Sequence, residues 1–340
     1  MQPAAISWAG VTDWLIEMTA VSGFWGYDII GDVHGCAACL KRLLHKLDYC
    51  ESPAGFVYAD SSRPRQVIFV GDLIDRGDEI PETLAIARQM WEHGNAQIVM
   101  GNHEFNAIAF HTMHNGDFLR EHSERNKKQI EATLSQFSQQ QQELVGYLEW
   151  FKELPLFLEF ENFRIVHACW DEKLISEYWR YYQSNKLVDE ILYGVREEDS
   201  FAHRFVDRLT RGLQLRLPEG YHVLGSDGLS RRNFRVQFWS DEAETYEDLV
   251  FQPDPLPEPV RDRALTEKER KHLLFYGAEQ KPLFTGHYWL QGNPQLVSPN
   301  IACLDYSAVN QGKLVAYRLQ HNDTHLDNRR FVYVDCKGTI

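Results

Sequence analysis

Short apolar runs, each closed by a glycine and a polar residue, set the pattern of this chain. Tyr27-Asp28-Ile29-Ile30 is the first; residues 66–70 and 96–100 are the second and third. Their length and β-branched content predict buried strands. Between them the spacing changes. Leu40, Leu43, Leu44 and Leu47 fall at i, i+3, i+4 and i+7, which predicts a helix packed on a sheet. Pro81 suits the first turn of a second helix, with Leu84, Ala87 and Trp91 turned inward. Strand, polar motif and helix repeat in that order. This predicts an α/β domain with parallel strands and its chemistry at their carboxyl ends.

The remainder is less regular. Residues 11–20 have the spacing of a short amphipathic helix, so 1–26 reads as an N-terminal helical extension ahead of a main domain at 27–340. Residues 115–153 read as a helical insertion. Leu134, Phe137, Leu144, Leu148 and Phe151 give it one apolar face, and the run Gln139 to Gln142 a solvated one. Strand character returns at 163–166, ending in His167. Residues 171–220 look helical and polar, and 221–240 look like short strands with a turn at Asp227-Gly228. Four prolines in 252–260 mark a loop. The stretch 171–280 is thus expected to form a cap on the core. Leu283-Phe284-Thr285 runs into Gly286-His287, and late strands are expected at 300–305, 313–319 and 331–335.

Composition narrows the class. The 340 residues hold 35 Lys and Arg against 49 Asp and Glu, a net charge of −14. No block of basic residues offsets it, so a nucleic-acid polymer is an unsuitable partner. A smaller anion could still bind where metals and arginine gather. Six scattered cysteines do not make a disulfide scaffold and suit a reducing compartment. Cys36 and Cys39 open a helix, have no second such pair to close a zinc site, and read as packing residues. Residues 1–26 lack the basic-then-apolar order of a signal peptide. No uncharged apolar stretch reaches the roughly 18 residues of a membrane span. The expectation is a cytoplasmic protein with no membrane partner.

The chemistry lies in three motifs: Gly31-Asp32-Val33-His34-Gly35, Gly71-Asp72-Leu73-Ile74-Asp75-Arg76-Gly77 and Gly101-Asn102-His103-Glu104. Each follows a predicted strand. Two divalent metals about 3.5–4 Å apart can clamp a phosphoryl group and lower the pKa of a water between them. They need one carboxylate that reaches both, with carboxylate, imidazole and amide oxygen around it. Asp32 and His34 can reach one metal from a turn. Asp72 is the natural bridge, and Asn102, ending the third strand, offers an amide oxygen to the second metal. His167 and His287, each ending a later strand, complete that metal. Gly31, Gly71 and Gly101 precede ligands, where a side chain would crowd the turn.

These motifs, GDxHG, GDxxDRG and GNHE, resemble those of the calcineurin-like metallophosphoesterases. The Asp-Arg-Gly ending is similar to that of the phosphoprotein phosphatase branch. Within it the run from Tyr27 to Cys36 looks most like bacterial members, including symmetrical dinucleoside-tetraphosphate hydrolases. Leu154-Pro155-Leu156, Trp239-Ser240-Asp241 and Cys303-Leu304-Asp305 extend the likeness. The resemblance implies a metallophosphoesterase-type β-sandwich core flanked by helices, with a cap insertion. It implies that Asp32, His34 and Asp72 hold the first metal, and Asp72, Asn102, His167 and His287 the second. It implies His103 as the general acid, held by Asp75, with Arg76, Asn102 and His103 contacting the phosphate. Many metallophosphoesterases carry a second His two residues after the last Gly-His; here that place is Trp289, as in the phosphatase branch. A further phosphate-binding Arg is implied, with Arg231, Arg232 and Arg235 as candidates.

The expected activity is hydrolysis of phosphate monoesters, on a phosphoprotein or a small phosphorylated molecule. Metal-bridging hydroxide would attack directly, without a covalent enzyme intermediate. The alternative substrate is a dinucleoside polyphosphate. A base-stacking pocket would favour the nucleotide and an open groove a phosphopeptide. A third reading is an inactive binding scaffold. The mixed oxygen and imidazole ligands suit two manganese ions, with iron or zinc as other choices.

Overall fold

The computed structural model describes residues 23–224, 230–251 and 256–337. The helix expected at 11–20, the turn at Asp227-Gly228 and part of the proline-rich loop lie outside these residues. Two sheets form the core. In the larger, Gly26–Ile30 pairs in parallel with Arg65–Phe69, which pairs in parallel with Ala96–Ile98. On its other side Gly26–Ile30 pairs antiparallel with Lys313–Gln320. Asp305–Tyr306 and Phe331–Asp335 both add to that last strand, also antiparallel. The smaller sheet runs in the order Ile301–Cys303, Leu283–Thr285, Arg164–Val166, Phe157–Glu159.

The pleat sorts the side chains into two cores. Ile29, Ile68 and Val315 of the larger sheet meet Ile165, Phe284 and Ala302 of the smaller, and this is the interior of a sandwich. Their neighbours Ile30, Val67, Phe69 and Ile98 point the other way, onto Leu40, Leu43, Leu44 and Leu84 of the flanking helices. Those helices are Ala37–Lys46 and Ile80–Glu92, the second with Pro81 in its first turn. Near-continuous apolar strands follow from a sheet covered on both faces.

One element differs from the sequence reading. The third strand stops at Ile98, and Asn102 opens a helix, Asn102–His111, rather than ending the strand. Asn102 through Phe110 are all buried. An all-round buried helix has no amphipathic stripe, so periodicity does not reveal it. In the insertion, Glu124–Gln136 and Gln141–Lys152 are helices, with Ile130, Phe137, Leu144 and Phe151 in the main core.

Within 171–280 two packings occur. Helices Glu172–Tyr182 and Phe201–Arg211 bury Ile175, Tyr178, Phe205 and Leu209 in the main core. From Leu213 to Leu265 a separate small core forms around Phe234, Val236, Tyr246 and Leu249. Cys39, expected to serve packing, forms a disulfide with Cys336, their Cα atoms 5.9 Å apart. No helix among the described residues is long and apolar enough to cross a membrane.

A buried ionic knot ties the strands behind the site. Asp28 is fully buried at the centre of the larger sheet. Arg65 grips it with both forks, Nε to Oδ2 at 2.8 Å and Nη2 to Oδ1 at 3.0 Å. Arg318 donates to Oδ1 at 3.0 Å and Tyr49 to Oδ2 at 2.9 Å.

Candidate active site

The loops after the three parallel strands converge with those after Arg164–Val166 and Leu283–Thr285. Asp72 stands at the meeting point. Its Oδ2 lies 3.6 Å from His34 Nε2, 3.4 Å from His167 Nε2 and 3.8 Å from His103 Nε2. Its Oδ1 accepts a hydrogen bond from the backbone N–H of His103 at 3.0 Å, in the first turn of the buried helix. Asn102 Oδ1 is 2.8 Å from His287 Nδ1 and 3.3 Å from His167 Nε2.

Two groups among these side chains could hold a metal ion. His34, Asp72 and His103 form one, and Asp72, His167 and His287 the other. Asp72 belongs to both. Asp32 stands beside them: its Oδ2 accepts from the His287 backbone N–H at 3.1 Å, and its buried Oδ1 has no partner. Backbone carbonyls set the rings. His34 Nδ1 donates to Ile74 O at 2.8 Å and His167 Nδ1 to Val70 O at 2.7 Å. That leaves both Nε2 atoms facing Asp72, the arrangement that prepares imidazole for a metal.

The electrostatics suit a bound cation. Burial pushes the Asp32 carboxyl well above the ordinary carboxylate range, and Asp305 beside it adds to the push. Burial works the same way on Asp72, yet His167 and His103 hold it well below that range. Burial opposes the charge on His167, but Asp72 outweighs it and lifts the ring to about 10. Burial lowers His34 and His287, assisted by Arg76 and Arg235 respectively. Beside Asp32 Oδ1, the buried His34 Nε2 and His287 Nε2 also lack hydrogen-bond partners. Buried oxygen and imidazole donors without protein partners match borderline divalent cations.

Local strain marks the same residues. His34, Asp72, Asp75, Arg76 and His287 all have positive φ, between 47° and 70°. Non-glycine residues occupy that region rarely, and their concentration here is the pattern expected of a functional site. Two glycines clear the space. A Cβ on Gly101 would overlap Asp72, and one on Gly286 would overlap the Asp32 carboxylate.

His103 Nδ1 is 2.6 Å from Asp75 Oδ2, and Arg76 Nη2 is 3.3 Å from His103 Nε2. The sequence-predicted residues therefore gather at one place. Others join them. Asp305 is buried near Asp32. Of the three candidate arginines, Arg235 reaches the site, with Nη1 3.2 Å from His287 O. Glu104 is fully buried and accepts from the N–H groups of Asp72 and Gly101, both at 2.9 Å, and Leu73 at 2.8 Å. It locks the second motif to the third. Its place in the GNHE run was the available signal. Glu104→Gln exchanges one accepting oxygen for a donor and strands at least one N–H. Stability should fall by about 1–3 kcal/mol in denaturant unfolding.

A cavity of about 380 Å³ has in its wall Trp289, two residues after His287, and Tyr306, next to Asp305. Trp239, Phe251, Trp289 and Tyr306 line it together with the amides Gln237, Gln291 and Gln295.

A calcineurin-like phosphoesterase family model matches residues 27–287. An asymmetrical bis(5'-nucleosyl)-tetraphosphatase PrpE of Oceanobacillus iheyensis is 29% identical over 174 residues, covering 49% of this chain and 63% of that protein. A symmetrical bis(5'-nucleosyl)-tetraphosphatase of Vibrio cholerae is 26% identical over 163 residues, covering 48% and 49%. The chain thus spans less than two thirds of the length of either relative. A protein serine/threonine phosphatase structure from Saccharomyces cerevisiae matches 91% of this chain and 78% of its own, with a TM-score of 0.46 and 16% identity.

Proposed function

The chain belongs to the calcineurin-like phosphoesterase family, and on that premise we propose that it is a dimetal-dependent hydrolase of phosphate esters. The observation that carries this is Asp72 Oδ2, shared by the imidazoles of His34, His167 and His103. Asp32, His34 and Asp72 would hold one divalent ion, and Asp72, Asn102, His167 and His287 the other. When bound, two such ions neutralise phosphoryl charge and acidify a water for attack. Manganese suits the mixed donors, as do iron and zinc.

The chain's own groups do the rest. Arg76 and Arg235 supply guanidinium forks for the phosphoryl oxygens. Asp75 takes the Nδ1 proton of His103 as its hydrogen-bond partner, so Nε2 faces the leaving oxygen. As water adds to phosphorus, the bond to the leaving group breaks, and Nε2 passes its proton to the departing oxygen. The unit from Leu213 to Leu265 acts as the cap, since Arg235 and Trp239 come from it. Trp239 meets Tyr288, next to His287, edge-on at 5.1 Å.

A second substrate reading, a dinucleoside polyphosphate, has its own support. The aromatic and amide lining of the 380 Å³ cavity is chemistry that stacks a base and bonds its edge. The names of the two relatives point the same way. A panel of phosphopeptides, p-nitrophenyl phosphate, mononucleotides and dinucleoside tetraphosphates at fixed manganese separates the readings. Under the nucleotide reading, Trp289→Ala raises KM for the dinucleotide about 5- to 100-fold, the worth of one stacked base. Turnover of p-nitrophenyl phosphate is unaffected. Equal KM in both proteins removes the nucleotide reading. Absence of both turnover and bound metal would return the chain to the class of binding scaffolds.

A further inference from the structure

The insertion reaches into the catalytic dyad. Helix Glu124–Gln136 is capped by Ser123 and presents Thr133 and Gln136, three apart, on one face. That face meets the turn carrying Asp75 and Arg76. Thr133 is fully buried. Its hydroxyl donates to Asp75 Oδ1 and accepts from the Asp75 backbone N–H at 3.2 Å. The other Asp75 oxygen is the one facing His103. Gln136 fastens the next residues, with Oε1 accepting from Ile80 N–H and Nε2 donating to Gly77 O, both at 2.8 Å.

We infer that Thr133 is a positioning residue for the general acid, fixing the Asp75 carboxylate that orients His103; this rests on the assignment of His103 as that acid. A hydroxyl has one proton and two lone pairs. Thr133 spends its proton on the carboxylate and one lone pair on the same residue's backbone. The bond pair sets the rotation of the carboxylate and pins the turn, where Asp75 and Arg76 stand at φ of 66° and 70°. A methyl in place of the hydroxyl leaves Oδ1 without this donor and the Asp75 N–H without this acceptor. The carboxylate then turns, and the imidazole with it. Misplacement by about 1 Å costs on the order of 100-fold in rate. No motif assigns this residue a role, since it lies 58 positions from its partner on an inserted helix.

The leaving group provides the test. Protonation by His103 matters most for a poor leaving oxygen and least for nitrophenolate. Kinetics of Thr133→Val are measured on a series from p-nitrophenyl to phenyl phosphate in manganese. On phenyl phosphate kcat should fall about 10- to 100-fold, part of the 10²–10⁴ carried by a general acid. On p-nitrophenyl phosphate kcat should change by less than about 3-fold, since little acid catalysis is needed there. KM and metal content should match the wild type, and Thr133→Ser should restore both substrates. Should Thr133→Val fail to fold, Thr133→Ala carries the same comparison. Uniform loss across the series, or a Ser variant as impaired as Val, overturns the inference. His103→Ala is run alongside. A steepened series in His103→Ala with a flat one in Thr133→Val removes Thr133 and leaves the acid in place. Flat series in both remove the acid assignment itself.

Discussion

Asp72→Asn is expected to lower kcat by at least about 1000-fold and to leave the chain folded. Removing a single charge-stabilising donor from an active site already costs on the order of 10²–10³. Asp72 does more, since among the described residues its Oδ2 is the one carboxylate oxygen set 3.4–3.8 Å from three imidazole nitrogens. The amide is isosteric, so Gly101 still fits against it and the loop keeps its path. It lacks the charge, however, and one of its two heads becomes an N–H donor. If that head faces the rings, it meets lone pairs that a metal should occupy. Elemental analysis of the purified variant should find fewer than two divalent ions per chain, and added manganese should no longer raise the melting temperature as it does in a protein that binds it when folded. Full metal content with wild-type turnover would dismiss Asp72 as the shared ligand.

Asp28→Ala should produce the largest loss of stability, about 3–5 kcal/mol. The carboxylate is fully buried and anchors Arg65, itself 5% exposed, together with Arg318 and Tyr49. Removing it leaves a guanidinium in the sheet without its counter-charge, the costly half of breaking a buried pair. Arg65 also donates to the Tyr27 and Leu319 carbonyls, so the damage crosses three strands. Denaturant unfolding measures the loss. Per folded molecule, kcat should stay close to wild type, because Asp28 lies on the strand and the reacting groups lie beyond its end. A change under about 1 kcal/mol would show that the knot specifies register and contributes little net stability.

The two predictions test different things that the chain discloses unequally. Asp32, Asp72, His167 and His287 were readable because each ends an apolar run, and a strand end is a local event. Helix Asn102–His111 was hidden because burial on every side erases periodicity. Glu104 stood in plain view within a motif, but its work is to accept N–H groups from a loop some 30 residues away. Arg235 could not be told from Arg231 and Arg232, since only the fold shows which one reaches His287. The Cys39–Cys336 disulfide spans 297 residues and has no local signature either. Local patterning thus reveals the candidate ligands, while the groups that orient them come from distant segments.

The central strand of the larger sheet has a consequence for the timing of folding. Gly26–Ile30 is flanked on one side by Arg65–Phe69 and on the other by Lys313–Gln320. During synthesis the first motif emerges well before its second hydrogen-bonding neighbour, which arrives almost 300 residues later. Until then the strand's free edge is open to other chains, the exposure that invites misassembly in slow, non-local folds. The same delay leaves the cluster of Asp72, His167 and His287 incomplete, because His287 and the strand that seals the sheet follow long after Asp72.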